Sequence, residues 1–371
     1  MRILQVLHQG GGSGSVSSTL HLSIGLAERG HHVRFVCPPG TEVEAAARAA
    51  NLEVHPLSLA PGQRRENARK LHGLLTQFPV DIINSQSSRD RAALTWLGIT
   101  DRLAAPLVFT RRQMPLTFPL ENWIASRVAD RVVAVSRAVG DALVRRGTPR
   151  RKLAVIPNGL IVSRVDGAPD AAQVDRWRDR IGWDREHRTI GIISRKKDQA
   201  VVLRALAGIT EPIRLVLAGV ERSGELAQLA DRVPVRHVIV FVPFDPGIRP
   251  LYELLELVLL PSRMEGLSQA LLEAMALGKP VVASAAAGNL DLIRDGEDGR
   301  LVPPLDPSSW TQAIESILRN PGTAEAMGSA ARRTARTTFS LDHTVDRTQA
   351  LFHEVLKTPA GSLSRVPGDR A

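Results

Sequence analysis

Short apolar runs rich in Val, Ile and Leu recur from end to end of the chain, with helical patterns between them. In the first half the strand candidates are Ile3–Leu7, Val33–Val36, Leu52–His55, Val80–Asn84, Leu107–Thr110, Val132–Val135 and Leu153–Ile156. Near-continuous apolarity of this kind fits parallel strands buried on both faces of a sheet. Helical stretches such as Val16–Arg29 and Arg137–Arg146 run into Gly30 and Gly147, and a glycine just past a helix supplies the left-handed cap. Pro157-Asn158-Gly159 and a polar run to about His187 interrupt the series. A second one follows, with candidates Thr189–Ile193, Ile213–Ala218, His237–Val242, Leu257–Leu260, Pro280–Ala283 and Arg300–Val302.

Two successive βαβ series predict an α/β chain of two Rossmann-like, doubly wound domains facing across a cleft, with ligands at the carboxyl ends of the strands. A length of 371 residues leaves room for two cores. The expected division is a first domain over 1–160, a linker over 161–187 and a second domain over 188–340. A helix over 341–357 is expected to pack back on the first domain, followed by a loose tail over 358–371 rich in Pro, Gly and Ser.

Composition narrows the partners. Aromatic residues are only 4% of the chain, which argues against nucleic-acid modules that stack bases on exposed rings. The formal charge of +10 suits anionic partners such as phosphates or an acidic membrane surface, although an arginine-rich proteome would give the same balance. Cys37 is the only cysteine, so no intramolecular disulfide is available. The segment Met1–His8 is too short and polar for a signal peptide, and no run approaches the roughly 18 apolar residues of a membrane span. A cytoplasmic protein is expected.

The most informative segment is the 23-residue string from Pro261 to Ala283. Leu257–Leu260 reads as a strand, Ser262–Gly266 as its carboxyl-end loop, and Leu267 to Leu277 as a helix stopped by Gly278 and Pro280. That places Glu265 at the strand-to-helix turn and Glu273 about two turns into the helix. A helix start offers unpaired N–H groups and positive dipole to a phosphate. A carboxylate accepts from two neighbouring hydroxyls at once, so Glu265 suits a sugar ring and Glu273 a ribose. Taken alone, the two glutamates read better as a helix-start charge and a solvated helix residue.

The whole string resembles the Glu-x7-Glu signature of the retaining glycosyltransferase family 4, whose members have the GT-B fold. The segments Val133–Ser136, Val155–Gly159 and Ala287–Pro304 resemble the family too, and the likeness runs from Ile3 to about Leu356. It implies that Glu265 contacts the transferred sugar, that Glu273 contacts the nucleotide ribose, and that the N–H groups of Gly266, Leu267 and Ser268 meet the donor's sugar and phosphates. It makes the first domain the acceptor-binding one. Family members also carry an Arg and a Lys after the first strand of the second domain. Here that loop is Ser194-Arg195-Lys196-Lys197-Asp198, shorter than usual and without the glycine after the lysine. Arg195 and Lys197 are the candidates for neutralising a leaving diphosphate, with Lys196 beside them.

In the first domain, Gly10 and then Gly11, Gly12, Ser13 and Gly14 follow the first strand, and glycines let backbone approach a phosphate without a Cβ. The second strand ends Phe35-Val36-Cys37-Pro38 with no acid for a ribose, which excludes a nicotinamide-dependent dehydrogenase. Where many relatives place a His near the sugar or acceptor, this chain has Arg111 and Arg112, which point to an anionic acceptor; His8, at the end of the first strand, is an alternative polar group. From Arg111 to Lys152 ten basic residues face three acids, with Phe118, Leu120, Trp123 and Ile124 among them. Such a surface could lie on anionic lipid at the inner face of a membrane, with a lipid-linked sugar as acceptor; an ordinary charged helix beside a core stripe has the same pattern.

No metal-ligating cluster and no Asp-x-Asp pair after a strand is present, so metal-independent chemistry with no cofactor is expected. The reading is a retaining transferase that moves a sugar from a nucleoside diphosphate sugar to a lipid-linked or oligosaccharide hydroxyl in envelope glycan synthesis. The alternatives are a GT-B-fold nucleotide-sugar epimerase and a non-catalytic nucleotide- or polyanion-binding protein.

Overall fold

The computed structural model describes residues 1–11, 13–100, 102–103, 105–116 and 118–357. Two compact units emerge: Met1–Gly159 together with the segment beginning at Leu341, and Leu160–Ser340.

The first unit is built on a seven-stranded sheet. Its strands are β1 (Arg2–Val6), β2 (His32–Cys37), β3 (Glu53–Pro56), β4 (Ile82–Ser85), β5 (Leu107–Arg111), β6 (Arg131–Ala134) and β7 (Leu153–Val155). The order is β3-β2-β1-β4-β5-β6-β7, and every pairing is parallel. Each expected run forms a strand, shifted by a residue or two at its ends. Ile3, Phe35, Ile82 and Val108 are fully buried in one core cluster with Leu26 of the helix Gly14–Glu28.

The helix Leu341–Lys357 belongs to this first core. Its buried Val345, Thr348, Phe352 and Val355 recur at helical spacing and form one buried, mostly apolar stripe. Val345 and Phe352 join the Ile3–Phe35 cluster. At Gly25 a Cβ would stand 2.6 Å from Val345 Cγ2, so glycine is what allows the close approach. Arg29 ties the contact down through Asp342 (3.0 Å) and Asp346 (2.8 Å). The tail at 358–371 lies outside the described residues.

The second unit has six strands: β8 (Arg188–Ile193), β9 (Ile213–Ala218), β10 (Val238–Val242), β11 (Leu257–Leu260), β12 (Val281–Ser284) and β13 (Arg300–Val302). They run parallel in the order β10-β9-β8-β11-β12-β13. Ile190, Leu215, Leu217, Leu257 and Val282 pack with the fully buried Trp310.

The stretch 161–187 is not a linker. It forms part of the second unit, where Leu160 N–H donates to Phe339 O at 2.6 Å. Residues Ala171–Ile181 are a helix capped by the Asp170 side chain at its start and by Gly182, at φ 61°, at its end. Its polar faces disguise it in the sequence, because only Trp177 and Ile181 are buried; Trp177 Nε1 donates to Gly247 O at 3.2 Å.

Candidate functional site

In each sheet the strand order reverses beside the first strand of its unit. Connections leave in opposite directions there and open a crevice at the carboxyl ends. In the second unit the reversal lies between β8 and β11. Ser194–Asp198 leaves β8 and Pro261–Ser268 leaves β11, so the basic loop and the two-glutamate segment meet at this point.

Lys197 Nζ forms an ion pair with the Glu265 carboxylate. Two contacts hold the loops that carry them. The Asp198 carboxylate accepts from Arg263 N (3.0 Å), Nε (3.2 Å) and Nη2 (3.0 Å). Fully buried Gln199 donates to Ser194 Oγ (3.1 Å) and Arg195 O (2.8 Å), and accepts from Lys197 N (2.5 Å). The shortened loop is thus wound around one amide. Gly219, at φ 99°, closes its other side: a Cβ there would be 2.8 Å from Ser194 O. Burial pushes the Lys197 ammonium down to about 8, Asp198 opposes the shift, and Arg195 adds to it. Arg195 and Lys196 are exposed, and the Lys197 side chain keeps 29% of its surface accessible.

The Glu265–Gly266 turn is clamped from the loop after β12. Gly288 N–H donates to Glu265 O at 3.1 Å, and buried Asn289 donates its amide to Ser284 O (3.0 Å) and Ser262 O (3.4 Å). The following helix runs Gln269–Ala276, two residues later than expected, because Ser268 is its cap: the Ser268 hydroxyl accepts from Leu271 N at 3.3 Å. Gly266 and Leu267 therefore lie in the loop ahead of the first turn, and Leu267 is 6% exposed.

Glu273 is a buried residue, 3% exposed, and not a solvated one. Tyr252 Oη donates to its Oε2 at 3.3 Å, and Arg164 Nε lies 3.1 Å from its Oε1. Burial raises its carboxyl above the ordinary value, against the pull of Arg164 and Tyr252. Arg164 lies 109 positions upstream of Glu273 and has no sequence signal that would link the two.

A raised carboxyl means that the folded chain holds this proton more tightly than the unfolded one, so the contribution to stability falls as pH rises from the unfolded value through the folded one. Glu273→Gln removes that dependence and the cost of burying a charge. The variant is expected to melt no lower than the parent at neutral pH, with any gain vanishing below the ordinary carboxylate range. Melting curves over that pH interval check it; a gain that grows as the pH falls would contradict it.

Beside the basic loop, at the ends of β9 and β10, lies a hollow of about 350 Å³ lined by Lys196, Gly219, Val220, Glu221, Ser223, Leu226, Pro243 and Phe244. Phe244 is 64% exposed. The one local sign of this hollow in the sequence is Gly219, directly after a strand.

In the first unit the reversal lies between β1 and β4. His8, two residues past β1, places Nδ1 3.0 Å from Asp90 Oδ1 and 2.6 Å from Ser87 Oγ. Asp90 is fully buried and also accepts from Ser85 Oγ (2.8 Å), Gln86 N (2.9 Å) and Ser87 N (2.9 Å). Ser13 caps the helix that begins at Gly14, and Gly11 has open space around it. Gly12 lies outside the described residues.

Arg111 and Arg112 are both buried but turn to different partners, as successive residues at a strand end must. Arg112 donates to Gln86 Oε1 (3.0 Å) and to Asn158, while Arg111 donates to Asn122 Oδ1 (3.3 Å). They do not form one site. Among the described residues, no group of three or more His, Cys, Asp or Glu side chains is gathered in metal-binding proximity.

Comparison with known proteins gives the family of the chain. The pattern of the family described as "Glycosyl transferases group 1" matches residues 177–334, and that of "Glycosyltransferase Family 4" matches residues 12–164. A D-inositol 3-phosphate glycosyltransferase of Mycolicibacterium paratuberculosis is 34% identical over 176 residues; the match spans 45% of this chain and only 40% of that relative's length. One from Salinispora arenicola is 26% identical over 383 residues, covering 87% of this chain and 85% of the relative. Anabaena HepE, solved with UDP, superposes with a TM-score of 0.82 at 21% identity, over 95% of this chain and all of the other. WaaG, a glycosyltransferase involved in lipopolysaccharide biosynthesis, gives 0.70 at 16% identity, over 94% and 99% of the two chains. With two parallel-sheet Rossmann-like units and both family patterns in sequence, this chain belongs to the group 1, family 4 glycosyltransferases of GT-B fold.

Proposed function

We propose that the chain moves a sugar from a nucleoside diphosphate sugar to an acceptor hydroxyl, with retention of anomeric configuration and without a metal ion. The observation that carries this reading is the meeting of Lys197 and Glu265 where β8 and β11 diverge. A diphosphate arriving there finds Lys197, Arg195 and the start of the helix Gln269–Ala276, all of positive potential. The hollow beside Lys196 is where the nucleoside base fits, against the exposed Phe244 ring. Released from Lys197, Glu265 accepts hydrogen bonds from the sugar ring. Glu273 takes the ribose hydroxyls in place of Arg164, which is exposed enough to swing aside, its side chain being 36% accessible.

In the reaction the acceptor oxygen forms its bond to the anomeric carbon as the bond to the diphosphate breaks. The acceptor proton passes to the leaving phosphate on the same face. Arg195 and Lys197 stabilise the charge that develops on that phosphate. HepE has been solved with UDP-glucose, which supports a donor of this class.

The first unit takes the acceptor in this reading. Leu116 (82% exposed), Phe118 (81%), Leu120 (67%) and Trp123 (42%) are exposed apolar side chains there, close together in sequence, and Arg127 stands 4.8 Å over the Trp123 ring. That combination supports peripheral binding to anionic lipid at the inner membrane face, and a lipid-linked or oligosaccharide acceptor in envelope glycan synthesis. Among the described residues, no helix is long and apolar enough to cross a membrane.

A panel of nucleoside diphosphate sugars, mixed with the purified chain in chelator and assayed for nucleoside diphosphate release with and without a membrane-lipid extract, tests the proposal. Extract-dependent release from one donor, with the product's anomeric proton coupling matching that of the donor, is expected. Donor consumption without any acceptor would mark an epimerase, and no release or binding for any donor would overturn the reading.

A further inference from the structure

We propose that Arg91, Arg111 and Arg146 of the first unit form a binding site for a phosphate group, and that this phosphate belongs to the acceptor. The second clause rests on the assignment of the acceptor to this unit.

Arg111 ends β5 and is 7% exposed, yet its side chain makes one long hydrogen bond, to Asn122 Oδ1 at 3.3 Å. Asn122 in turn donates to Arg146 O (3.1 Å) and Thr148 Oγ1 (2.8 Å), which draws the end of the helix Arg137–Arg145 towards Arg111. Arg91, on the helix Ser88–Ile99, donates from Nη1 to Ser87 O at 3.2 Å, and Arg146 reaches only Ala142 O at 3.5 Å. Among the described residues, none of the three lies within ion-pair distance of a carboxylate. A buried cation without a counter-ion is costly, and chains retain one where an anion comes to neutralise it.

The electrostatics agree with this geometry. Burial and the charge of Arg91 press the Arg111 guanidinium down to about 9; Arg146 adds to the effect, and Glu121 opposes it. Arg91 and Arg146 are half-buried and Glu121 is exposed, so the cluster opens to solvent on one side. Three guanidinium groups against the carboxylates of Asp90 and Glu121 leave an excess of positive charge that an anion such as a phosphate neutralises. The planar fork of each guanidinium fits phosphate oxygens in pairs. Arg112 is not part of this site, because Gln86 and Asn158 hold its guanidinium elsewhere.

The test is calorimetric titration of the full chain with inorganic phosphate and with D-inositol 3-phosphate, beside co-sedimentation with phosphatidylglycerol vesicles. Binding of the soluble ester identifies a soluble acceptor, and binding confined to vesicles identifies a lipid phosphate. Arg111→Met should raise the phosphate Kd at least tenfold. It should also leave the melting temperature in phosphate-free buffer unchanged or higher, because a buried, uncompensated charge is gone. A merely structural arginine would give the reverse: unchanged binding and a lower melting temperature, which overturns the proposal. Arg91→Gln, at a half-buried position, repeats the binding test without disturbing β5. The double variant Arg195→Met/Lys197→Met should keep this phosphate site, so a failed donor assignment cannot be mistaken for a failed acceptor site.

Discussion

Lys197→Met is expected to lower kcat/KM for sugar transfer by about 10²- to 10³-fold, the usual cost of removing one preorganised group that meets developing charge. The residue sits on a loop fixed by Asp198–Arg263 and by the buried Gln199 amide, so its ammonium is positioned before substrate arrives. In the free chain it pairs with Glu265; in the proposed reaction it neutralises the diphosphate. Glu265→Ala is therefore expected to abolish transfer while nucleoside diphosphate binding largely survives, since the phosphate-facing cations remain. Two measurements check the pair: steady-state transfer, and calorimetric binding of the nucleoside diphosphate.

A pH signature follows. Burial holds the Lys197 ammonium at about 8, so the charged form needed by the diphosphate is lost as pH rises through that value. Wild-type kcat/KM should fall above about pH 8, and Lys197→Arg should flatten that limb because guanidinium stays charged. Unchanged turnover in Lys197→Met, or an unchanged alkaline limb in Lys197→Arg, would remove the lysine from the mechanism.

Gly288→Ala carries the second large effect. A Cβ at this position would stand 1.8 Å from Gly266 O, 2.6 Å from Gly266 C and 3.2 Å from Glu265 O. The backbone at Gly288 is ordinary, with φ −67°, so the requirement for glycine is purely one of space. The obstacle is main chain, which cannot rotate away as a side chain would. Overpacking of this kind costs about 1–3 kcal/mol, and displacing Glu265 by about 1 Å costs about 10²-fold in rate. Both should appear together, as a lower denaturation midpoint and a lower kcat. Gly11→Ala is the contrast, since nothing lies within 4 Å of a Cβ there and the fold should not notice it. If Gly288→Ala matched Gly11→Ala in stability, the clamp on the Glu265–Gly266 turn would be absent in solution.

Much of this molecule is legible in the sequence. Strands buried on both faces must be apolar throughout, so Ile213–Ala218 and Leu257–Leu260 announced themselves, and glycine and proline marked where helices stop. Glu265 and the basic loop after β8 were readable for a related reason: strand-end loops are contiguous in sequence with the strands that aim them. The helix Ala171–Ile181 was not, because it buries only two residues and reads as a polar spacer.

The sequence by itself determined two doubly wound units, the position of Glu265 at a strand end and a cluster of cations after β8. Local patterns carry that information, because periodicity and capping act within a dozen residues. The tertiary structure alone decided which groups meet. It set Lys197, rather than Lys196, against Glu265. It brought Arg164 and Tyr252 to a buried Glu273, placed Gly288 against the Glu265–Gly266 turn, and sent Arg111 and Arg112 to different partners. Apart from the Arg111–Asn122 contact, those pairings join segments about twenty or more positions apart in the chain. They depend on strand order and on side-chain direction at each strand end, and neither is written in the spacing of residues along one segment.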